Sequence, residues 1–441
     1  MELGHRHGHA DLYNVLPDIT GPITPGGAAV PVSLTTPGQN ARLSFNGTAA
    51  QRISLRLTGV TIGSSTTFTI FNPNGTTLVW ATANVGFGGW IDAITLPATG
   101  THTILVDPYS NYTGNATLAL YDVVDINSSI TPGGGPVPVA ITTPGQNARY
   151  TFSGTMGQMI SLNITGVTAL GTNVYIYKPD GSTLASALNV VGAGAFIDTK
   201  LLPASGTYTI LVDPQVYTTG NVTLGLYDIV DVTGPIIAGG SAVPTTVASP
   251  GQNVRLTFDG TANQRVSLKI SGVTIGSTAV NVLKPDGTTL ATTNANVSSG
   301  GWLEPTTLPV TGSYTIFANP ASTNTGNMTF NLYDVPADTT GTVTIGGGAV
   351  GVTITTPGQN GQLTFSGTSG QQVTVRITSN TMSVVTVKLL KPDGTTLTMS
   401  TSGASSFNLA QQTLPASGTY TIKIDPNTFN TGSMNVSVTS P

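Results

Sequence analysis

The sequence predicts an all-β protein built from four tandem antiparallel β-sandwich modules of about 106 residues, of jelly-roll, Greek-key or Ig-like type. Three observations support this fold class. A Pro-Gly-Gln-Asn tetrad recurs at nearly constant spacing, apolar and polar residues alternate between turns, and Glu, a strong helix former, occurs only at Glu2 and Glu304. A module of this length can enclose its own apolar core.

Three sequence markers keep a constant phase along the chain. The tetrad is spaced by 107, 106 and 107 residues and begins at Pro37, Pro144, Pro250 and Pro357. A Pro-Asn-Gly or Pro-Asp-Gly turn begins at Asn72, Lys178, Lys284 and Lys391. An Asp-Pro or Asn-Pro pair begins at Asp107, Asp213, Asn319 and Asp425. Pro followed by Gly favours a type II turn, because Pro presets φ and Gly accepts a positive φ.

Between the turns the apolar period is two, which is typical of strands with one packed face. In the first module Ile53, Leu55 and Leu57 alternate with polar residues. The markers divide the chain into a tail of residues 1–16, which carries a spare module-exit segment, and four modules. We call these copies 1 to 4, and they span residues 17–125, 126–232, 233–338 and 339–441.

Charged residues are unusually few, at 8% of the chain, with a net charge of −4. The 15 basic residues form no cationic stripe, so a nucleic-acid partner is not expected. A surface of hydroxyls and amides opposes self-association only weakly, although many secreted β-proteins are simply rich in Thr and Ser. No apolar run reaches the ~18 residues needed to span a membrane. There is no cysteine, which excludes disulfides and thiol catalysis. The N-terminus lacks a signal-peptide core, which leaves a removed leader, another export route or an internal location open.

Two motifs carry a family resemblance. The first is the strand Gln264-Arg-Val-Ser-Leu268, which is followed by Lys284-Pro-Asp-Gly-Thr-Thr-Leu290; the second is Leu202-Pro-Ala-Ser-Gly-Thr-Tyr-Thr-Ile210. Together they resemble the bacterial pre-peptidase C-terminal domain, and more closely the tandem repeats that precede YD-repeat regions in large bacterial surface proteins. The resemblance covers nearly the whole chain from about residue 17. It implies a β-sandwich, an extracellular or cell-surface location and a non-catalytic role.

The candidate catalytic residues differ between the copies. His102 occupies a position that is Tyr in the other copies. The acidic residues Asp92, Asp198 and Glu304 share one position, where copy 4 has Leu409. Paired carboxylates or a triad are therefore not expected. We predict no enzymatic activity and no cofactor.

Metal sites have two sequence candidates. His5, His7 and His9 would share one face of an extended strand and could hold Zn²⁺, Ni²⁺ or Cu²⁺, or could belong to a polar tail. The Asp-Pro position could offer oxygens to calcium, but Asn319 replaces the acid in copy 3, and an Asx turn is the simpler interpretation. No metal site is predicted.

Two sets of residues are candidates for contact with glycans. Trp90 and Trp302 occupy core-like positions but could stack on a sugar face. Three glycosylation sequons share one repeat position, at Asn115, Asn221 and Asn327.

The two ends of the chain suggest a mode of assembly. The segment Leu12, Tyr13, Asn14 and Val15 matches the exit of copies 1 to 3, whereas copy 4 ends with Val436, Val438 and then Thr-Ser-Pro. We expect the N-terminal segment of one molecule to add to the C-terminal copy of the next; the alternative is that the chain is a fragment of a longer array. The sequence thus predicts a non-enzymatic extracellular structural protein that forms a head-to-tail homopolymer. The alternative is a module array that binds polysaccharide or another surface.

Overall fold

The computed structural model describes residues 14–63 and 65–440. Strands make up 58% of it, and no helix occurs among the described residues. The all-β content predicted from the sequence is therefore confirmed. In the same residues no helix is long and apolar enough to cross a membrane.

Each of the first two copies contains nine strands. In copy 1 they are β1 (Ile19–Pro22), β2 (Val30–Leu34), β3 (Ala41–Gly47), β4 (Arg52–Thr58), β5 (Ser65–Phe71), β6 (Thr77–Asn84), β7 (Gly89–Thr95), β8 (Gly100–Pro108) and β9 (Gly114–Asp122). In copy 2 they are β10 (Ile126–Ser129), β11 (Val137–Ile141), β12 (Ala148–Gly154), β13 (Met159–Thr165), β14 (Thr172–Tyr177), β15 (Thr183–Val190), β16 (Ala195–Leu201), β17 (Gly206–Pro214) and β18 (Gly220–Ile229).

The same order continues in the second half of the chain. In copy 3 the strands are β19 (Val232–Pro235), β20 (Val243–Val247), β21 (Val254–Gly260), β22 (Arg265–Ser271), β23 (Thr278–Leu283), β24 (Thr289–Ala295), β25 (Gly301–Thr307), β26 (Gly312–Pro320) and β27 (Gly326–Asp334). In copy 4 they are β28 (Thr339–Thr342), β29 (Val350–Ile354), β30 (Gly361–Gly367), β31 (Gln372–Thr378), β32 (Val385–Leu390), β33 (Thr396–Ser402), β34 (Phe407–Asn408), β35 (Gln412–Thr413), β36 (Gly418–Pro426) and β37 (Gly432–Thr439). The pair β34 and β35 takes the place of β7.

The strands of copy 1 form two sheets. The five-stranded sheet has the order β1-β3-β8-β5-β6, and the four-stranded sheet has the order β2-β9-β4-β7. All described pairings are antiparallel except that of β1 with β3, in which Ile19 lies opposite Ala41. This pair is parallel because β2, in the other sheet, carries the chain back between them. The same parallel pair recurs in copies 2, 3 and 4.

Each copy buries an apolar cluster to which both of its sheets contribute. In copy 1, Leu55 of β4 and Ile104 of β8 belong to one cluster although they lie in different sheets. The sequence alternation accounts for this, since β3 buries every second residue from Ala41 to Gly47. Full burial of one such Leu or Ile side chain contributes about 1.5–3 kcal/mol.

The prediction of four discrete antiparallel β-sandwich modules is wrong. The chain divides into two compact units, one ending at Asp228 and the other beginning at Ile229, and each unit holds two copies. Within a unit the copies are joined to each other, as neighbouring repeats are in arrays of the solenoid kind, and each copy also contains a parallel strand pair. The physical reason is that strand periodicity reports which residues face a copy's own core, and it says nothing of what covers the outer faces.

Candidate functional site

The Pro-Gly-Gln-Asn tetrad is a structural clamp on the segment that leads into each copy. In copy 2, the Gln146 side chain accepts a hydrogen bond from the Thr142 amide at 2.8 Å and donates one to the Val124 carbonyl at 2.6 Å. The Asn147 amide donates to Asp125 at 3.0 Å. The same three hydrogen bonds recur in every copy, with the glutamines Gln39, Gln252 and Gln359. The tetrad therefore presents its turn at a fixed place on each copy.

In both units this turn docks on the preceding copy. The Ser54 hydroxyl of β4 donates to the Pro144 carbonyl at 2.7 Å, and Ser267 of β22 donates to Pro357 at 2.8 Å. Both serines are fully buried. A Cβ on Gly145, whose φ is +84°, would lie 3.1 Å from the Cβ of Ser54. Glycine is therefore required here both for the turn conformation and for the close approach of the two copies.

An ion pair holds the segment that leads into the next copy at the same contact. Arg52 pairs with Asp125, the last residue of copy 1, and Arg265 pairs with Asp338, the last residue of copy 3, at 2.9 Å in the second case. These are the aspartates that also accept from the tetrad Asn amides. The equivalent aspartates in the segments that lead into copies 1 and 3 pair instead with an arginine of the copy they lead into, as Asp18–Arg42 and Asp231–Arg255.

An aromatic and a cation complete the contact. Tyr217 lies in the loop between β17 and β18, with its ring centroid 6.0 Å from that of Trp90 in an edge-on arrangement. The Arg56 guanidinium lies 3.7 Å from the Tyr217 centroid. In the second unit Phe429 meets Trp302 at 6.1 Å, and the Lys269 ammonium lies 3.9 Å from the Phe429 centroid. Each cation–π contact of this kind contributes about 0.5–2 kcal/mol.

We call this whole contact the joint. Its outgoing face is the part of β4 and β7, or their equivalents, that the next copy covers. Its incoming parts are the tetrad turn and the loop that follows the eighth strand, here called the incoming loop. The joint links copy 1 to copy 2 and copy 3 to copy 4 through the same kinds of side chain at equivalent positions.

Charge near the first joint perturbs one carboxyl group. Burial raises the pKa of Asp213, and the Asp92 carboxylate of the preceding copy raises it further, while Arg149 and Arg52 lower it. An acid whose pKa is raised on folding destabilises the fold once it is ionised. This cost is fully present above the raised pKa, is relieved as the pH falls from there to the ordinary carboxyl value, and is absent below that value.

The structure places the two candidate sugar-stacking residues in the joints. Trp90 and Trp302 are partly buried, and each meets the aromatic of the next copy. Their indole Nε1 atoms are buried and have no hydrogen-bond partner among the described residues. Sugar stacking stays a prediction, but part of each ring is already covered by protein.

The residues predicted for assembly lie in different surroundings. Leu12 and Tyr13 are outside the described residues, while Asn14 and Val15 are exposed. Val436 and Val438 are fully buried in β37, which lies between β29 and β31. Because β37 has a partner on both sides, it offers no free edge for the strand addition expected from the sequence.

The remaining candidates are scattered. Asn115, Asn221 and Asn327 are exposed at the start of the ninth strand of their copies. His102 is fully buried, is stacked on Phe45 and lies 3.2 Å from the Gly100 carbonyl through Nδ1. Within the described residues no group of three His, Cys, Asp or Glu side chains could hold a metal ion. His5, His7 and His9 lie outside the described residues. The structure does not bring these residues together at one site.

Sequence reasoning missed that the repeat alternates. Copies 1 and 3 have Arg52 and Arg265 where copies 2 and 4 have Met159 and Gln372, and they have Trp90 and Trp302 where the others have Phe196 and Phe407. Conversely, only copies 2 and 4 have an aromatic residue at the position of Tyr217 and Phe429. The sequence itself shows this two-copy period. Its structural role depends on the contacts among the three positions, which only the tertiary structure shows.

No family model matches the chain, and no curated protein matches it at a significant level. It is similar to the solved structure of PliG, a periplasmic inhibitor of g-type lysozyme from Aeromonas hydrophila, with 16% identity over 23% of this chain and 98% of that one and a TM-score of 0.18. A biofilm-associated protein BSP domain is 11% identical over 99% of both chains, with a TM-score of 0.13. SGBP-B of the Bacteroides ovatus mixed-linkage glucan utilisation locus, solved with a heptasaccharide, is 15% identical over 98% of both chains, with a TM-score of 0.12. None of these likenesses supports a conclusion about this chain.

Proposed function

We propose that this chain is a non-enzymatic structural protein of the cell surface or extracellular matrix, whose molecules join head to tail into filaments. One observation carries the proposal. Each of the two units contains the joint, with equivalent residues: Ser54 with Pro144, and Ser267 with Pro357. A repeat that binds its neighbour through one surface and is bound through another can bind a further copy in the same way.

The geometry of the joint favours an open assembly. The outgoing face and the tetrad turn are different surfaces of a copy, so the contact is heterologous. Heterologous contacts propagate into open filaments unless the rotation closes a ring. The low charge of the chain, 8% of residues with a net −4, adds little repulsion between molecules.

Electron microscopy and sedimentation velocity of the purified chain test the proposal. We expect unbranched filaments, and a sedimentation distribution that shifts to larger species as the concentration rises. Particles of single-chain mass at every concentration and ionic strength would contradict it.

A second candidate function is polysaccharide binding. It is supported by a cavity of about 400 Å³ beside the second joint, lined among others by Lys269, Ser298, Ser299 and Phe429. Aromatic edges, hydroxyls and one cation are groups that recognise sugars. A polysaccharide pull-down with Trp90→Ala and Trp302→Ala tests it, with Met399→Ala, on an exposed position of copy 4, as the control. Retention that is the same for all four proteins would count against this candidate.

A further inference from the structure

Two halves of the joint have no partner among the described residues of this chain. On copy 4 the outgoing face is open: Thr374, at the position of the buried Ser54 and Ser267, is only half-buried, and Arg376 is exposed. Arg376 makes no ion pair or ring contact within the described part of the chain. On copy 1 the incoming loop carries Tyr109 and Tyr112, which are 69% and 39% exposed.

Cations recur on the outgoing faces and aromatic residues recur in the incoming loops. The outgoing faces of copies 1, 3 and 4 carry Arg56, Lys269 and Arg376, whereas copy 2 has Asn163. The incoming loops of copies 2 and 4 carry Tyr217 and Phe429 at one position, where copy 1 has Asn111 with Tyr109 and Tyr112 nearby, and the loop of copy 3, residues 321–325, has no aromatic residue. Two of the three cations meet the aromatic of the following copy. The third cation, on copy 4, meets no aromatic residue among the described residues. In the copy 1 loop Tyr112 lies against Gly63 of its own copy, and Tyr109 is exposed.

The residues at the ion-pair positions are also compatible with a contact between copy 4 and copy 1. At the outgoing face of copy 4, Gln372 stands where Arg52 and Arg265 stand in the joints. An aspartate arriving there would therefore need another partner. Asp18 of copy 1 already has one, since Arg42 of its own copy binds it at 2.8 Å. The two surfaces are thus compatible, because copy 4 has Gln372 in place of the arginine and Asp18 of copy 1 is already paired with Arg42.

We propose that the outgoing face of copy 4 binds copy 1 of a second molecule through a third version of the joint. In it, Thr374 donates to the carbonyl of Pro37, and Arg376 lies against the Tyr109–Tyr112 loop. The proposal rests on head-to-tail assembly as the function and names the surfaces that carry it. The Val15 side chain, which is half-exposed, lies 3.3 Å from the position of a Cβ on Gly38, so Val15 must move aside on docking.

Cysteine cross-linking tests the register of this contact, because the chain contains no cysteine of its own. The full chain with Gly38→Cys and Thr374→Cys is oxidised and run on a non-reducing gel. We expect a ladder of oligomers, since each molecule would have one thiol at each end of the contact. Each single variant can give dimers at most.

The control for this experiment uses the joint that the structure already shows. Ser54→Cys with Gly145→Cys places the same pair within one molecule, at a glycine with the same φ of +84°. Cysteine strains the turn at either glycine, so this variant measures whether the turn still forms and lets the pair close. If the internal pair closes but the intermolecular ladder does not form, the proposed surfaces are wrong. Filaments in the microscope would then still support the proposed function, while single molecules alone would contradict both. If the internal pair does not close, the Arg376→Glu variant decides.

A charge reversal supplies a second measurement that does not depend on cysteine geometry. Arg376→Glu removes the cation and is expected to weaken self-association on the order of tenfold by sedimentation. Lys423→Glu makes the same charge change on β36, in the other sheet of copy 4, and is expected to leave association unchanged. Equal effects of the two variants would show that net charge, and not this face, controls assembly.

Discussion

A single buried residue separates copy 1 from the others. Tyr208, Tyr314 and Tyr420 stack on a Phe, and each donates its hydroxyl at 2.7 Å to a carbonyl four residues earlier in the chain. His102 keeps the stacking on Phe45, but its buried Nε2 has no partner among the described residues. A buried polar atom without a hydrogen bond costs stability.

We predict that His102→Tyr stabilises copy 1 by about 1 kcal/mol, because the new hydroxyl can reach the carbonyl of Ala98 as its counterparts do. Hydrogen exchange of copy 1 amides in the full chain measures this. Tyr314→Phe is the matched control, and it should destabilise copy 3 by a similar amount. Faster exchange in copy 1 of His102→Tyr would show that the pocket does not accept the larger ring.

At the scale of single elements, the turns show how local chemistry determines structure. In the turn that begins at Lys391, the Asp393 carboxylate accepts hydrogen bonds from the Thr395 amide at 2.9 Å and hydroxyl at 2.6 Å. These two bonds are the largest cause of the lowered pKa of Asp393, and the same holds for Asp180 and Asp286. Copy 1 makes the same turn with the neutral Asn74.

These lowered pKa values predict an acid-sensitive contribution to stability. A carboxyl whose pKa is lower in the folded state stabilises the fold fully above its ordinary value of 3.8, and this contribution is lost as the pH falls through the lowered value. The triple variant Asp180→Asn, Asp286→Asn, Asp393→Asn should therefore lose less stability on acidification than the native chain. Urea unfolding between about pH 6 and pH 2 measures this. Parallel losses in the two proteins would contradict the prediction.

At the scale of the whole molecule, the joint couples the two copies that share it. Stability in repeat arrays is the sum of repeat and interface terms, so weakening one joint should affect the two copies that share it. We predict that Phe429→Ala destabilises the joint by about 1 kcal/mol. Hydrogen exchange should rise at the tetrad amides of residues 358–360.

Tyr217→Ala is the matched variant in the other unit. It removes the partner of Trp90 and Arg56 and should raise exchange at the tetrad amides of residues 145–147. If neither variant changed the tetrad amides, the aromatic contact would not stabilise the joint.

Local patterns in the sequence determined the all-β class, the fourfold repeat and the turns, because strand alternation and turn chemistry involve residues within a few positions of one another. The tertiary structure alone decided how the copies are coupled: Ser54 and Pro144, or Arg52 and Asp125, are far apart in the sequence. The sequence did not show that Tyr217 of copy 2 lies beside Trp90, or that β37, which contains Val436, has a partner strand on each side. Contacts between distant residues depend on how two folded surfaces meet, and the periodicity of one strand carries no information about that meeting.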